Sequence, residues 1–371
     1  MDSTALLQQL VSIPSVNPNL SSSSRGENEI ASFIADVCRQ EGLEVYLEQV
    51  LPNRPNVIAI AKGSGGGKTL MLNAHTDTVG VAGMKEPFEA RTEDDKLFGR
   101  GALDMKAGLA AAIAAMVNAK RMKLKGDVIL TAVIDEEHSS LGTQAVMKEY
   151  KADAAIVTEP SWMNLCVAHR GFAVFEIEIV GKAAHTSQRA LGVNAVTHAG
   201  NVLAMVETFD RELQRRAKHE LLEPGSLQAT LIQGGQELFT TPASCKITVE
   251  RRTLPGETKK SVEKEMKELL KGLEFLDSSF HATVKTVLYR DAYEVSQDET
   301  IVQLAKKHLP DASIVGAPYW MDSALIAAKG IPTLVLGPGG DGMHSSEEWV
   351  NLADVEKLVD VLTNIAEDFC A

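Results

Sequence analysis

The chain has 371 residues, of which 44% are hydrophobic and 23% charged, and its net charge is −13 at pH 7. At roughly 150 residues per domain this allows two domains with a large core, and it excludes a largely disordered chain. An acidic surface repels phosphate backbones and anionic lipid, and 5% aromatic residues leave little for base stacking, so neither nucleic acid nor membrane is an expected partner.

The first residues, MDSTALLQQLVSIPSVNP, have no basic start and no long apolar run, so no signal peptide is expected there. Helical spacing covers 4–11 and 27–41, the second closed by Gly42. Strands are predicted over 45–50 and 56–61, then a GSGGG turn at 63–67 and an apolar strand over 69–72. The alanine-rich stretch 108–117 reads as a buried helix, about half the ~20 residues that a membrane span needs. Apolar strands over 128–134 and 154–158 follow, with a helical segment between them. Strand–helix alternation of this kind predicts a mostly parallel sheet with helices on both faces.

Near Arg170 the rhythm changes. FAVFEIEIV at 172–180 alternates with period two, as a half-exposed antiparallel strand does. A helix over 192–217, strands over 228–232 and 245–250, a charged helix over 259–273 and a strand over 282–288 complete a β-α-β-β-α-β order. After Tyr289 the first pattern resumes, with a helix from Thr300, a strand over 331–336 and a last helix over 355–369. The expected fold is α/β, with a mostly parallel, helix-flanked sheet. It forms a discontinuous catalytic domain, 1–170 and 289–371, with an α+β sandwich inserted at 171–288 as a lid or dimerisation domain.

Polar residues gather just after the predicted parallel strands, where open α/β sheets place their sites. His75 and Asp77 follow one strand, Asp135-Glu136-Glu137 another, Glu159 a third, and GPGGDG leads from a fourth to His344. Asp104 lies in GRGALDMK between the first two. Histidine nitrogens and carboxylate oxygens suit a divalent cation such as zinc. A triple-acid run repels itself unless a cation compensates it; the bland alternative is a solvated acidic loop. His75 alone reads equally as a core histidine, but Asp77 two residues on favours a carboxylate–histidine–metal arrangement.

The segments NAHTDTV, GRGALDMKAGLAA, DEEHSSLGT, TEP, GKAAHTS, ERRTLPGE and GPGGDGMHSSEEWV together resemble the di-zinc amidohydrolase/peptidase family. That family includes acetylornithine deacetylase, succinyl-diaminopimelate desuccinylase, aminoacylase and glutamate carboxypeptidase, and the similarity runs nearly the whole length. The resemblance implies two divalent ions per subunit, zinc first, with cobalt or manganese suiting the same ligands. It implies that Asp104 bridges them, that His75 and Glu159 complete one site, and that Glu137 and His344 complete the other. Asp77 would orient His75, and the Asp104–Met105 peptide would be cis, a rarity outside proline.

The implied reaction is hydrolysis of the amide of an N-acyl amino acid by a water that the two ions activate, with Glu136 as general base. Dipeptidase or carboxypeptidase cleavage of a short peptide is the alternative. A non-catalytic binding module using the same cleft is the reading from another class. His185 is the implied oxyanion donor and substrate contact, reaching the other subunit's site in a homodimer; otherwise it is a turn histidine. Arg252 is the implied contact to a substrate carboxylate, or else a surface ion pair, while Arg251 points to the opposite face of the strand. One departure stands out: Phe239 occupies a place where many members carry asparagine, which removes a polar contact and favours an apolar group nearby. Asp322 is expected to support the pocket or to cap a helix.

Four cysteines, Cys38, Cys166, Cys245 and Cys370, lie far apart with no CxxC, as for reduced thiols in the cytoplasm. Two motifs mislead. GSGGGKT lacks the first glycine of a phosphate loop, Lys62 standing there, and leads to a strand rather than a helix. GPGGDG matches a dinucleotide pattern but contains Pro338 and runs into MHSSEEWV, so it reads better as a turn presenting His344.

Overall fold

A computed structural model describes residues 1–81, 83–216 and 218–371. They form two compact units. The first comprises Met1–Val167, Val295–Val315 and Met321–Ala371, and the second Ala168–Glu294 and Gly316–Trp320. The short return of 316–320 to the second unit is a feature that hydrophobic patterning along the chain does not reveal.

The chain opens with α1 (Ser3–Ser12), whose Ala5 amide donates to the Asp2 cap at 3.0 Å. In α2 (Asn28–Gln40) the buried residues Ile30, Ala31, Ile34, Ala35 and Cys38 fall on one face at helical spacing. The hairpin β1 (Glu44–Leu51) and β2 (Arg54–Ala61) leads to β3 (Leu70–His75). Strands β2 and β3 are buried at every position, the signature of sheet interiors covered on both faces. Next come β4 (Arg91–Glu93), β5 (Lys96–Phe98), α3 (Ala107–Met122), β6 (Val128–Val133), α4 (Leu141–Glu149), β7 (Ala154–Val157) and β8 (Leu165–His169). The stretch Ala102–Met122 is long and apolar enough to cross a membrane, but 89% of its apolar window is buried inside the protein.

The second unit holds β9 (Gly171–Val180), α5 (Ala195–Leu213), β10 (Ser226–Gly234), β11 (Ser244–Thr253), α6 (Lys259–Leu276), β12 (His281–Arg290) and β13 (Tyr293–Glu294). The chain ends with α7 (Thr300–His308), β14 (Ile314–Ala317), α8 (Ser323–Ala327), β15 (Thr333–Val335), β16 (Gly340–Asp341), β17 (Trp349–Asn351) and α9 (Leu352–Cys370).

In the first unit the main strands run in the order β1-β2-β6-β3-β7-β15-β8. The four central strands are parallel, with Leu70 opposite both Val128 and Ala154, and Thr333 opposite Ala155. Antiparallel pairs flank them: β1 with β2, β2 with β6, and β15 with β8. Parallel pairing brings the C-terminal ends of β3, β6, β7 and β15 to one edge, and the polar segments after them follow. A second, smaller sheet has the order β16-β17-β5-β4. Its strands are only two or three residues long, so they carry too little alternation to be read from sequence.

In the second unit the antiparallel order is β10-β11-β9-β12. Phe175, Ile177 and Ile179 of β9 point with Ile247 and Val249 of β11 into a core closed by Val202, Val206, Phe209, Met266 and Leu270 of α5 and α6. The helix expected over 192–217 starts only at Ala195, because Asn194 accepts the amides of Val196 and Thr197 and caps it there. It ends at Leu213, and the expected endpoint Ala217 lies outside the described residues.

Candidate metal centre and active site

Each candidate residue of the first unit is set by a strand end or a tight loop. His75 is the last residue of β3, and Glu159 lies two residues beyond β7. Glu136 and Glu137 follow Asp135, which has a left-handed backbone (φ 68°) and turns the chain sharply after β6. His344, also left-handed at φ 60°, stands in the loop between β16 and β17. Asp104 precedes α3, and its peptide to Met105 is cis.

These five side chains converge as two triads that share Asp104. Its Oδ1 lies 3.0 Å from His75 Nε2, which is also 3.4 Å from Glu159 Oε1. Its Oδ2 lies 3.2 Å from His344 Nε2, which is also 3.2 Å from Glu137 Oε2. Within each triad the ligand atoms lie inside 4.8 Å of one another, close enough to hold a metal ion. Glu136 belongs to neither triad.

The charges say what the centre lacks. Burial pushes Glu159 up to about 7, and the charges of Asp104 and Glu137 add to this against the opposing pull of His75. Burial lifts Glu136 well above the carboxylate range, and it lifts Glu137 and Asp322 too, Asp322 to about 6. For Asp104, burial is outweighed by the His344 and His75 hydrogen bonds, which hold it far below the usual range. Conversely, the Asp104 and Glu137 hydrogen bonds push His344 up to about 10. His75 rises well above its ordinary value even though burial opposes its charge, because Glu159 and Asp104 face it. Such a site has more buried anions than its imidazoles can balance. Glu137 Oε1 is buried and has no hydrogen-bond partner among the described residues. A nitrogen-and-oxygen donor set with excess negative charge and a spare carboxylate oxygen fits divalent cations.

A family model for peptidase family M20/M25/M40 matches residues 71–368. The chain belongs to that family. Among curated relatives it is 27% identical over 380 residues to an acetylornithine deacetylase from Myxococcus xanthus, covering 99% of this chain and 97% of the relative. It is 26% identical over 404 residues to an N-formyl-4-amino-5-aminomethyl-2-methylpyrimidine deformylase from Halalkalibacterium halodurans, covering 99% and 94%. The crystal structure of aminopeptidase PepT from Bacillus cereus shares the fold, with a TM-score of 0.81 at 20% identity over 100% of this chain and 98% of that one. This M20-family chain is a metallohydrolase of amide or peptide bonds.

Asp77 does more than stand beside His75. The imidazole Nδ1 lies 2.9 Å from the Asp77 backbone oxygen and 3.6 Å from its carboxylate. The carboxylate accepts the amides of Glu136 (3.1 Å) and Glu137 (3.2 Å) and Asn17 Nδ2 (2.8 Å). It therefore fixes the loop that carries both glutamates. Asp135 takes no part in either triad: its Oδ1 accepts from Asn17 (3.0 Å) and Arg54 (3.1 Å), and Arg54 also grips Glu27. The acidic run is thus compensated partly by a buried arginine. Asn17, Arg54 and Glu27 were not singled out from sequence; a buried arginine in a hairpin has no local pattern to announce it. Asp322 accepts Thr143 Oγ1 at 2.5 Å.

In the second unit His185 is exposed and caps a short turn, Thr186–Leu191. Its Nδ1 accepts the Ser187 amide at 3.2 Å, which leaves the proton of a neutral ring on Nε2. Arg252 lies across the Phe172 ring and donates to Glu250 at 2.7 Å. Neighbouring Arg251 is buried and pairs with Glu257 and Glu265. Phe239 is 69% exposed. The GSGGG turn leads into β3 rather than a helix; the Gly63 amide donates to Asp127 at 2.9 Å, and a carboxylate there repels phosphate.

Proposed function

We propose that the chain removes the acyl group of an N-acyl amino acid, using two divalent ions, zinc first, held by His75, Asp104 and Glu159 and by Asp104, Glu137 and His344. The observation that carries this is the single Asp104 carboxylate with one oxygen turned to each histidine. Its wide relatives, a deacetylase and a deformylase, both remove small acyl groups by their names, which favours this over peptide cleavage. When bound, the ions polarise the amide carbonyl and acidify water. Glu136 takes the proton from the attacking water and delivers it to the leaving amine nitrogen, so that the C–N bond breaks as the acid and the free amine form. Burial suits it to this, since a raised carboxylate sits closer to neutral pH. Asp77 holds the loop in place. His185 Nε2–H of a second copy donates to the oxyanion, and Arg252 receives the substrate carboxylate.

A homodimer is supported by β10, the end strand of its sheet among the described residues, on which Leu231 and Ile232 are 69% and 54% exposed. Residence in the cytoplasm is supported by four buried cysteines that lie far apart along the chain with no CxxC.

The test is a panel of N-acetyl, N-formyl and N-succinyl amino acids and dipeptides, run with added zinc or cobalt. Turnover of N-acyl amino acids that a chelator stops and metal restores is expected. Cleavage of dipeptides alone shifts the reading to a peptidase, and no hydrolysis of any member favours a binding module.

A further inference from the structure

The two triads depend on how two loops far apart in the chain are held, and one carboxylate holds both. Glu348 is 1% exposed. Its Oε1 accepts the backbone amides of Leu103 (2.9 Å) and Asp104 (3.0 Å). Its Oε2 accepts Arg100 Nη1 (2.6 Å) and the Gly101 amide (3.1 Å). Four N–H groups on one buried carboxylate satisfy it fully, and charge-assisted bonds of this kind are among the stronger ones. Arg100 then spreads its fork: Nη2 donates to the Ser345 carbonyl at 2.8 Å, next to His344. The clasp sits at the end of the small sheet, where Trp349 of β17 pairs with Phe98 of β5.

The consequence concerns aim. Asp104 has to present one oxygen to each histidine, and its own amide is what Glu348 grips. His344 has a side chain 53% exposed, so packing does little to fix it, and its loop is anchored by Arg100 and Glu348 instead. We infer that Glu348 and Arg100 are positioning residues that set the span between Asp104 and His344, and with it the affinity of the ion held by Asp104, Glu137 and His344. This rests on the two-ion reading above.

Glu348→Gln keeps the volume but replaces one acceptor oxygen with an NH2 group, so two of the four N–H groups meet a donor. Zinc affinity of the purified full chain is read by competition with a chromophoric chelator, beside the thermal midpoint of the metal-free protein. The expected result is a roughly 10- to 100-fold weaker second ion with the first ion less affected. Arg100→Lys keeps the cation but loses the fork, and a smaller weakening of the same ion is expected; this variant decides alone should Glu348→Gln not fold. Unchanged zinc affinity in the folded variants overturns the inference, even if the metal-free protein melts lower, because the pair would then serve stability only. A wild-type chain that holds fewer than two zinc ions overturns the two-ion reading and the clasp with it, and shows itself without any substitution.

Discussion

Glu136 and Glu137 are neighbours in sequence with the same side chain, yet the structure gives them different surroundings. Glu137 turns one oxygen to His344 and leaves the other buried without a partner among the described residues, as a ligand does. Glu136 stands outside both triads, as the proposed general base should. Glu136→Gln should therefore lower kcat by about 10²- to 10⁴-fold, the usual worth of a general base, while zinc content by elemental analysis stays at two per chain. Loss of an ion on this substitution would make Glu136 a ligand instead. The residues proposed to hold the ions and the base stood out in the sequence because most of them end or follow an apolar strand or sit near a glycine-rich turn. Their supports were not: Arg100 and Glu348 stand 248 positions apart, and only folding brings them together. Asp135 shows the same limit, since its place in the acidic run suggests a cation while its partners are Asn17 and Arg54.

Between elements, α3 packs tightly against the segment after β7. A Cβ added at Gly108 would lie 1.9 Å from the Thr158 carbonyl oxygen, and Thr158 is backbone neighbour to Glu159. Neither partner is a flexible side-chain end, so one element has to shift. Gly108→Ala should cost about 1–3 kcal/mol as an overpacking change, against the gain of a few tenths to 1 kcal/mol that the same substitution brings in an open helix. A thermal midpoint equal to or above wild type would show that α3 can slide without strain. The long elements here were readable from pattern: β9 alternates buried and less buried along its length, and β6, β3 and β7 are mostly apolar and buried at every position. The strands of the small sheet were not, because two or three residues give no period, and β8 was missed because its apolar run follows a turn with no polar alternation.

For the whole molecule, the net charge of −13 bears on whether two copies associate. Like-charged copies repel, but at physiological salt the Debye length is about 8 Å, so distant charges are largely screened and local chemistry decides. At β10 that chemistry is the end strand of its sheet among the described residues, with Leu231 and Ile232 exposed, and it runs beside Val196 of α5, also 41% exposed. Edge pairing would satisfy the open backbone groups and bury these side chains in one step. Light scattering at physiological salt should give twice 40.0 kDa, with the equilibrium moving towards single chains as salt is removed and the repulsion returns. Leu231→Lys with Ile232→Lys places two cations on each edge that must desolvate on pairing, and single chains are expected. If His185 serves the other copy's site, these single chains keep both metal ions but lose turnover. Full turnover by a single chain would place the oxyanion donor within one subunit, and a wild-type mass of 40.0 kDa would remove the dimer altogether.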